Sequence, residues 1–155
     1  MDCTFKTKQG RFNYRVGAII IYNNKVLMVK NSRDPYYYSV GGRVHMNESM
    51  EDAIIREVYE ETGVIFEIDR MGYIHENFFV LEPNGEKYHE ISIYYYMKAI
   101  NNYNLISKSL TEDGIEESLE WIPLNDIKNY KVYPQFFKDA QLISNHNVLH
   151  IIDRE

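Results

Sequence analysis

Gly42 to Val64 reads GRVHMNESMEDAIIREVYEETGV, a loop followed by a helix. Ser49 is a fair N-cap, and Asp52 three residues on completes a capping-box pattern. Met50, Ala53, Ile54 and Val58 recur at helical spacing. Gly63 stops the helix, because glycine takes the left-handed conformation after a last turn. The glutamates break the amphipathic rule. On a wheel advancing ~100° per residue, Glu57 and Glu61 point nearly the same way as Met50 and Ile54, with Glu60 beside them. Carboxylates normally sit opposite the apolar stripe. Like charges at i,i+4 cost roughly 0.2–0.5 kcal/mol in water and more where desolvated. Arg56, at i,i+4 from both Asp52 and Glu60, cannot neutralise all three. A hard divalent cation can. Mg²⁺ is expected, since it binds through few carboxylates and keeps positions for water and phosphate. The alternative is a solvated acidic face with no role.

The spacing favours the first reading. The stretch satisfies Gly-x5-Glu-x7-Arg-Glu-aliphatic-x-Glu-Glu-x-Gly-aliphatic, through Gly42, Glu48, Arg56, Glu57, Val58, Glu60, Glu61, Gly63 and Val64. A chance match of its fixed identities is on the order of 10⁻⁷ at average residue frequencies. This resembles the Nudix box, complete at every defining position. Two neighbours depart from the usual pattern: Val40 stands where proline is common before the paired glycines, and Asn47 where glycine precedes the first glutamate. Asparagine follows glycine in tolerance of the left-handed conformation, so the loop is expected to close.

The resemblance implies a Nudix α/β/α sandwich, an α/β fold with the box helix against a mixed sheet, over a single domain spanning 1–155. It implies a Mg²⁺-dependent pyrophosphohydrolase, with Mn²⁺ as a substitute, acting on a nucleoside diphosphate linked to another group. The metal ligands it implies are Glu57, Glu60, Glu61 and the carbonyl of Gly42. Arg56 is expected to hold the glutamates, Glu48 among them. The general base is Glu57 in some family members and a loop glutamate in others. Glu112, Glu116 and Glu117 are the loop candidates, and Glu90 is another on a strand. Family markers for ADP-ribose and diadenosine polyphosphates are missing from Asn77–Glu82, as is the coenzyme A marker before the box. Two other classes compete: a catalytically silent nucleotide-binding regulatory domain, and an enzyme removing pyrophosphate from RNA 5′ ends.

The remaining chain sets the bounds. With 155 residues and one cysteine, Cys3, no intramolecular disulfide forms, and a reducing cytoplasm is expected. Lys and Arg number 17 against 23 Asp and Glu, for a net charge of −6. That balance disfavours a nucleic-acid partner, since such affinity comes from neutralised phosphates; one small-molecule nucleotide docking through a metal stays open. No apolar run is long enough for a membrane span. A homodimer through an exposed aromatic strand is open as well.

Strands are predicted at Phe12–Tyr22, Lys25–Lys30, Gly72–Val80, Tyr88–Ile100 and Leu119–Ile122. Asn23-Asn24 reads as a two-residue turn, Asn31–Tyr38 as a loop, Asn101–Glu117 as irregular, and Leu124–Lys128 as one helical turn. Pro134–Ser144 fits a final amphipathic helix with proline in its first turn. Tyr36, Tyr37 and Tyr38 precede the box, and Tyr37 is the candidate for stacking on a base. Lys30 and Arg33 are candidate phosphate contacts. The five histidines show no metal-ligand spacing.

Overall fold

A computed structural model describes residues 1–98, 108–110 and 114–155. Its first sheet runs β1 (Thr4–Thr7), β2 (Gly10–Ile19), β8 (Glu86–Met97), β7 (Ile68–Leu81), β12 (Leu149–Arg154), with β6 (Gly41–Arg43) also paired to β2. Its second runs β11 (Val132–Tyr133), β5 (Tyr37–Ser39), β4 (Lys25–Asn31), β10 (Glu116–Pro123), β9 (Lys108–Leu110), with β3 (Ile21–Tyr22) against β4. Both sheets are mixed: β2/β8, β7/β12 and β5/β11 are parallel, and the other ladders antiparallel.

The run predicted as one strand, Phe12–Tyr22, serves both sheets. It breaks at Ile20, so β2 lies in the first sheet and β3 in the second. Asn23 and Asn24 then turn the chain with φ of 48° and 58°, the geometry that two-residue hairpins require.

The box helix, α1 (Met50–Thr62), forms as its caps demand. The Ser49 hydroxyl accepts from the Asp52 N–H at 3.1 Å, and Gly63, at φ 74°, returns its N–H to the Tyr59 carbonyl. Asn47 sits at φ 67°, the left-handed position expected of it. Ala53, Ile54 and Val58 are fully buried against Val16, Ala18, Val40, Val44, Ile93 and Tyr95. Each such large aliphatic side chain stabilises the fold by about 1.5–3 kcal/mol.

The other face of the first sheet carries a second cluster, in which Tyr73, Tyr94 and Tyr96 meet Phe136, Phe137 and Leu142. Tyr73 and Phe136 stack at 4.1 Å. Alternation along β8 therefore sends Tyr95 to the helix side and Tyr94 and Tyr96 to the opposite side. The final helix is shorter than predicted. Gln135–Lys138 is a 3-10 turn, Asp139 is extended, and α2 covers only Gln141–Ser144. Adjacent Phe136 and Phe137 are both buried, and the Asp139 carboxylate accepts from the Gln141 N–H, which restarts the chain in a new direction. With α1 on one face and these turns on the other, the layers are those of an α/β/α sandwich. Six strands, β1, β5, β6, β9, β11 and β12, lie outside the sequence expectations, and β5 and β9 correct stretches read as loop or irregular, where pairing with β4 and β10 imposes the extended backbone. Glu112 lies outside the described residues. Among the described residues no helix is long and apolar enough to cross a membrane.

Candidate active site

Arg56, midway along α1, ties the helix to the loop before it. Its Nε and Nη2 grip Glu48 through both oxygens at 2.8 and 2.9 Å, a bidentate fork. Nη1 reaches Glu57 at 2.9 Å and Glu60 at 3.4 Å, and Nη2 also donates to the Arg43 carbonyl at 3.0 Å. Glu48 accepts the His45 N–H as well, so the fork ties the loop to the helix. The Arg56 hydrogen bonds hold the Glu48 carboxyl down at about 2. Arg56 is thus a positioning residue, spent on carboxylates and a carbonyl.

One turn along the helix the arrangement reverses. The Glu61 carboxyl is buried, and its Oε2 has no hydrogen-bond partner. Burial first, then the charges of Glu57 and Glu117, push it well above the ordinary carboxylate range. Glu57 is raised more modestly, chiefly by burial, with Arg56 pulling the other way. Glu60 is the outlier of the three: its side chain is 55% exposed and, among the described residues, its ion pair is with Arg56. Paired glycines let the two inner carboxylates through the sheet edge. A Cβ on Gly42 would sit 2.4 Å from the Glu57 carboxylate, and the Gly41 N–H faces that of Glu61.

Beside the glutamates lies a cleft between the sheets, a cavity of about 510 Å³ that none of the three box carboxylates lines but that shares Arg15 and Tyr38 with the surroundings of Glu61. Arg15 lines it and is the cation whose field reaches both Glu57 and Glu61. Glu90 lies in it, held by Asn13 Nδ2 at 2.7 Å. Tyr36, Tyr38, Tyr133, His75, Asp153 and Arg154 are among its walls. At its edge Tyr38, pushed up to about 12 mainly by burial, accepts from Asn31 at 2.8 Å and faces Glu117. Glu117, on β10, is itself raised by burial. A second cavity of about 470 Å³, among Phe5, Phe12, Phe78 and Tyr88, lies away from these carboxylates.

Several predicted contacts fall elsewhere. Tyr37 packs on Tyr130 at 5.7 Å, because alternation along β5 turns it opposite to Tyr36 and Tyr38. Lys30 bonds the carbonyls of Asn31 and Asp34 and so ties down its own loop. Arg33 is exposed, 3.6 Å from Asp34. Glu116 opens β10 beside Glu117. Arg15, Asn13 and the His75–Asp153 pair were not singled out from the sequence. Arg15 had one available signal, a lone cation at the apolar end of a strand.

Oxygen donors with one buried, unpartnered carboxylate atom fit a hard divalent cation. Among the described residues no three His, Cys, Asp or Glu converge as a ready-made chelate, since Glu57 and Glu60 are turned to Arg56.

Comparison with known proteins agrees with this geometry. The profile of the NUDIX domain matches residues 11–143. The putative nudix hydrolase 1 of Caenorhabditis elegans is 27% identical over 139 residues, covering 84% of this chain and 34% of that protein. The chain therefore spans about a third of that relative's length. The uncharacterized Nudix hydrolase YvcI of Bacillus subtilis is 26% identical over 121 residues, covering 76% of this chain and 70% of YvcI. The crystal structure of the MutT protein from Bacillus halodurans superposes with a TM-score of 0.67 at 16% identity, covering 92% of this chain and 90% of that one; this likeness shows the fold. With the box intact and its helix seated on the mixed sheet, the chain belongs to the Nudix family of hydrolases, which act on pyrophosphate bonds.

Proposed function

We propose that this domain is a Mg²⁺-dependent pyrophosphohydrolase acting on a nucleoside diphosphate linked to a further group. The observation that carries the reading is the buried Glu61 carboxylate, unpartnered at Oε2 and flanked by Glu57. An acid in that position is costly unless a cation joins it. Glu57, Glu61 and the Gly42 carbonyl would hold Mg²⁺ or Mn²⁺, with Glu60 at the solvent edge. The chemistry a metal supplies there is neutralisation of the diphosphate and polarisation of the phosphorus under attack.

The protein's own groups do the rest. Arg56 keeps Glu57 and Glu48 in register. Glu57 and Glu117 are both raised carboxyls, better matched than an ordinary glutamate to taking a proton from water near neutral pH. Arg15 faces the charge that builds on the departing phosphate oxygens. Water adds to one phosphorus, the bridging P–O bond breaks, and two phosphorylated products leave.

Purified protein with Mg²⁺, supplied with a panel of nucleoside diphosphate derivatives, should release phosphorylated products from at least one. Turnover that is absent throughout, or unchanged by Glu57→Gln and Glu61→Gln, would remove the proposal. A capped or triphosphorylated RNA oligomer in the same panel should stay intact.

A further inference from the structure

Strand β12 lies beyond residues 11–143, the part matched by the family profile, yet it walls the cleft. It pairs parallel with β7, placing Asp153 opposite Asn77. His75, two residues before Asn77, is 3% exposed and shares a 2.7 Å hydrogen bond with Asp153 Oδ2. The imidazole lies edge-on against Phe136 at 5.6 Å and Tyr94 at 6.3 Å, which flank it on the cluster side. Asp153 is itself 44% exposed on the cavity side, and its Oδ1 has no partner among the described residues. Glu90 stands on the same floor, fixed through Asn13. Cations are few there. Arg15 and Arg154 both line the cavity, but Arg15 lies toward the box glutamates, and Arg154 spends its guanidinium 4.3 Å over the Phe78 ring.

Two fixed carboxylates accept hydrogen bonds and donate none. They repel a further phosphate and favour an uncharged group rich in donors. The aromatic walls do not form an open slot, since Tyr36 and Tyr133 meet edge to face at 5.0 Å. We infer that Asp153, positioned by His75, is a specificity-determining residue. It accepts hydrogen bonds from the neutral, donor-bearing part of the substrate, a sugar with free hydroxyls or the amino edge of a base, and disfavours an additional phosphate. The inference rests on the pyrophosphohydrolase reading for its substrate class.

The test compares wild type with Asp153→Asn, using the full chain and Mg²⁺, on a nucleoside diphosphate sugar and on the corresponding nucleoside triphosphate. The variant should lose about tenfold in kcat/KM on the sugar derivative, mostly through KM, as expected for one charge-assisted hydrogen bond. It should gain severalfold on the triphosphate. A merely structural role would lower both together, and that result, or no change in either, overturns the inference. An alkyl ester of the same nucleoside diphosphate separates the two donor sources. Equal treatment by both proteins assigns the donors to the sugar, and a matching loss assigns them to the nucleoside. His75→Gln should give the same split, more weakly. If wild type turns over nothing, calorimetry without metal still decides. A Kd for the sugar derivative about tenfold weaker in Asp153→Asn upholds the residue's role while the enzymatic reading fails; an unchanged Kd, or no binding by either protein, overturns both.

Discussion

Glu48 and Glu61 lie at opposite ends of one short segment, and the protein treats their carboxyls in opposite ways. Glu48 is saturated: a bidentate guanidinium and a backbone N–H hold it ionised. Glu61 is buried beside two other acids, with one oxygen unpartnered and the Gly41 N–H and the charge of Arg15 as its relief. The first carboxylate is architecture, because every one of its interactions ends within the fold. The second is destabilising as it stands, and a fold keeps such a group where something else completes it. Burial separates the two residues, with the Glu61 carboxyl far deeper than that of Glu48, and the inventory of partners separates them again.

The sharpest way to break this contrast is Glu61→Gln. Activity should fall by about 10²–10³ in kcat, the scale of losing one electrostatic stabiliser of the reaction. Melting temperature of the metal-free protein should hold or rise, since a buried acid is removed. A variant that stays active, or that unfolds, would place Glu61 with Glu48 as scaffold. Arg56→Lys tests the other end. A point-charge ammonium cannot reproduce the fork on Glu48 while reaching Glu57 and the Arg43 carbonyl. Loss of about 2–3 kcal/mol in urea unfolding is expected, partly buried as the network is, together with weakened activity because Glu57 is released.

This contrast was half legible in the sequence. The helix, its caps and the left-handed Asn47 are local matters, decided by spacing and by φ preference, and the structure has them where the residues predict. That Arg56 would bind Glu48 also follows from position. What sequence left open is which glutamate is buried and which is solvated, because Glu60 and Glu61 are neighbours and only the packed sheet edge separates their surroundings. Tyr37 shows the same limit. Its parity along β5 depends on the register with β4, where Val29 faces Tyr38, and a shift of one residue exchanges the faces. Strand β12 pairs with β7 across a separation of more than 70 positions in the register Leu149 to Tyr73, so its short alternation carries little local signal. The chain over 134–144 had helical spacing, and the burial of both Phe136 and Phe137 overrode it.

The pH dependence of stability should mirror the same contrast. Glu48 titrates lower in the folded protein, at about 2 against an ordinary 4.5. Its contribution is therefore complete above 4.5 and is lost as pH falls toward 2. Glu61 titrates higher when folded than its ordinary 4.5, so the folded state holds the extra proton. The metal-free protein should accordingly lose stability as pH rises above 4.5 and through the raised value. Unfolding measured against pH should show the acid-side loss vanish in Glu48→Gln, worth about 1–3 kcal/mol, and the alkaline-side loss vanish in Glu61→Gln. Mg²⁺ added above neutral pH should stabilise wild type and leave Glu61→Gln unchanged.

The smallest effects separate loop from site most finely. Gly42→Ala places a Cβ at 2.4 Å from the far end of the Glu57 side chain, which can swing aside. Stability should change by less than about 1 kcal/mol, while activity drops about tenfold as Glu57 loses its station, an energy of about 1.4 kcal/mol in the barrier. Asn47→Gly should do the reverse. At φ 67° asparagine carries left-handed strain that glycine escapes, against the extra freedom glycine brings to the unfolded chain. These terms nearly cancel, leaving a few tenths of a kcal/mol. Activity should stay within twofold, because Asn47 touches the reaction only through Glu48, whose bonds to Arg56 and His45 the change leaves intact. A large loss of turnover in Asn47→Gly with the fold intact would mean that the Glu48 end of the helix takes part in the chemistry, and the division between the two carboxylates would have to be redrawn.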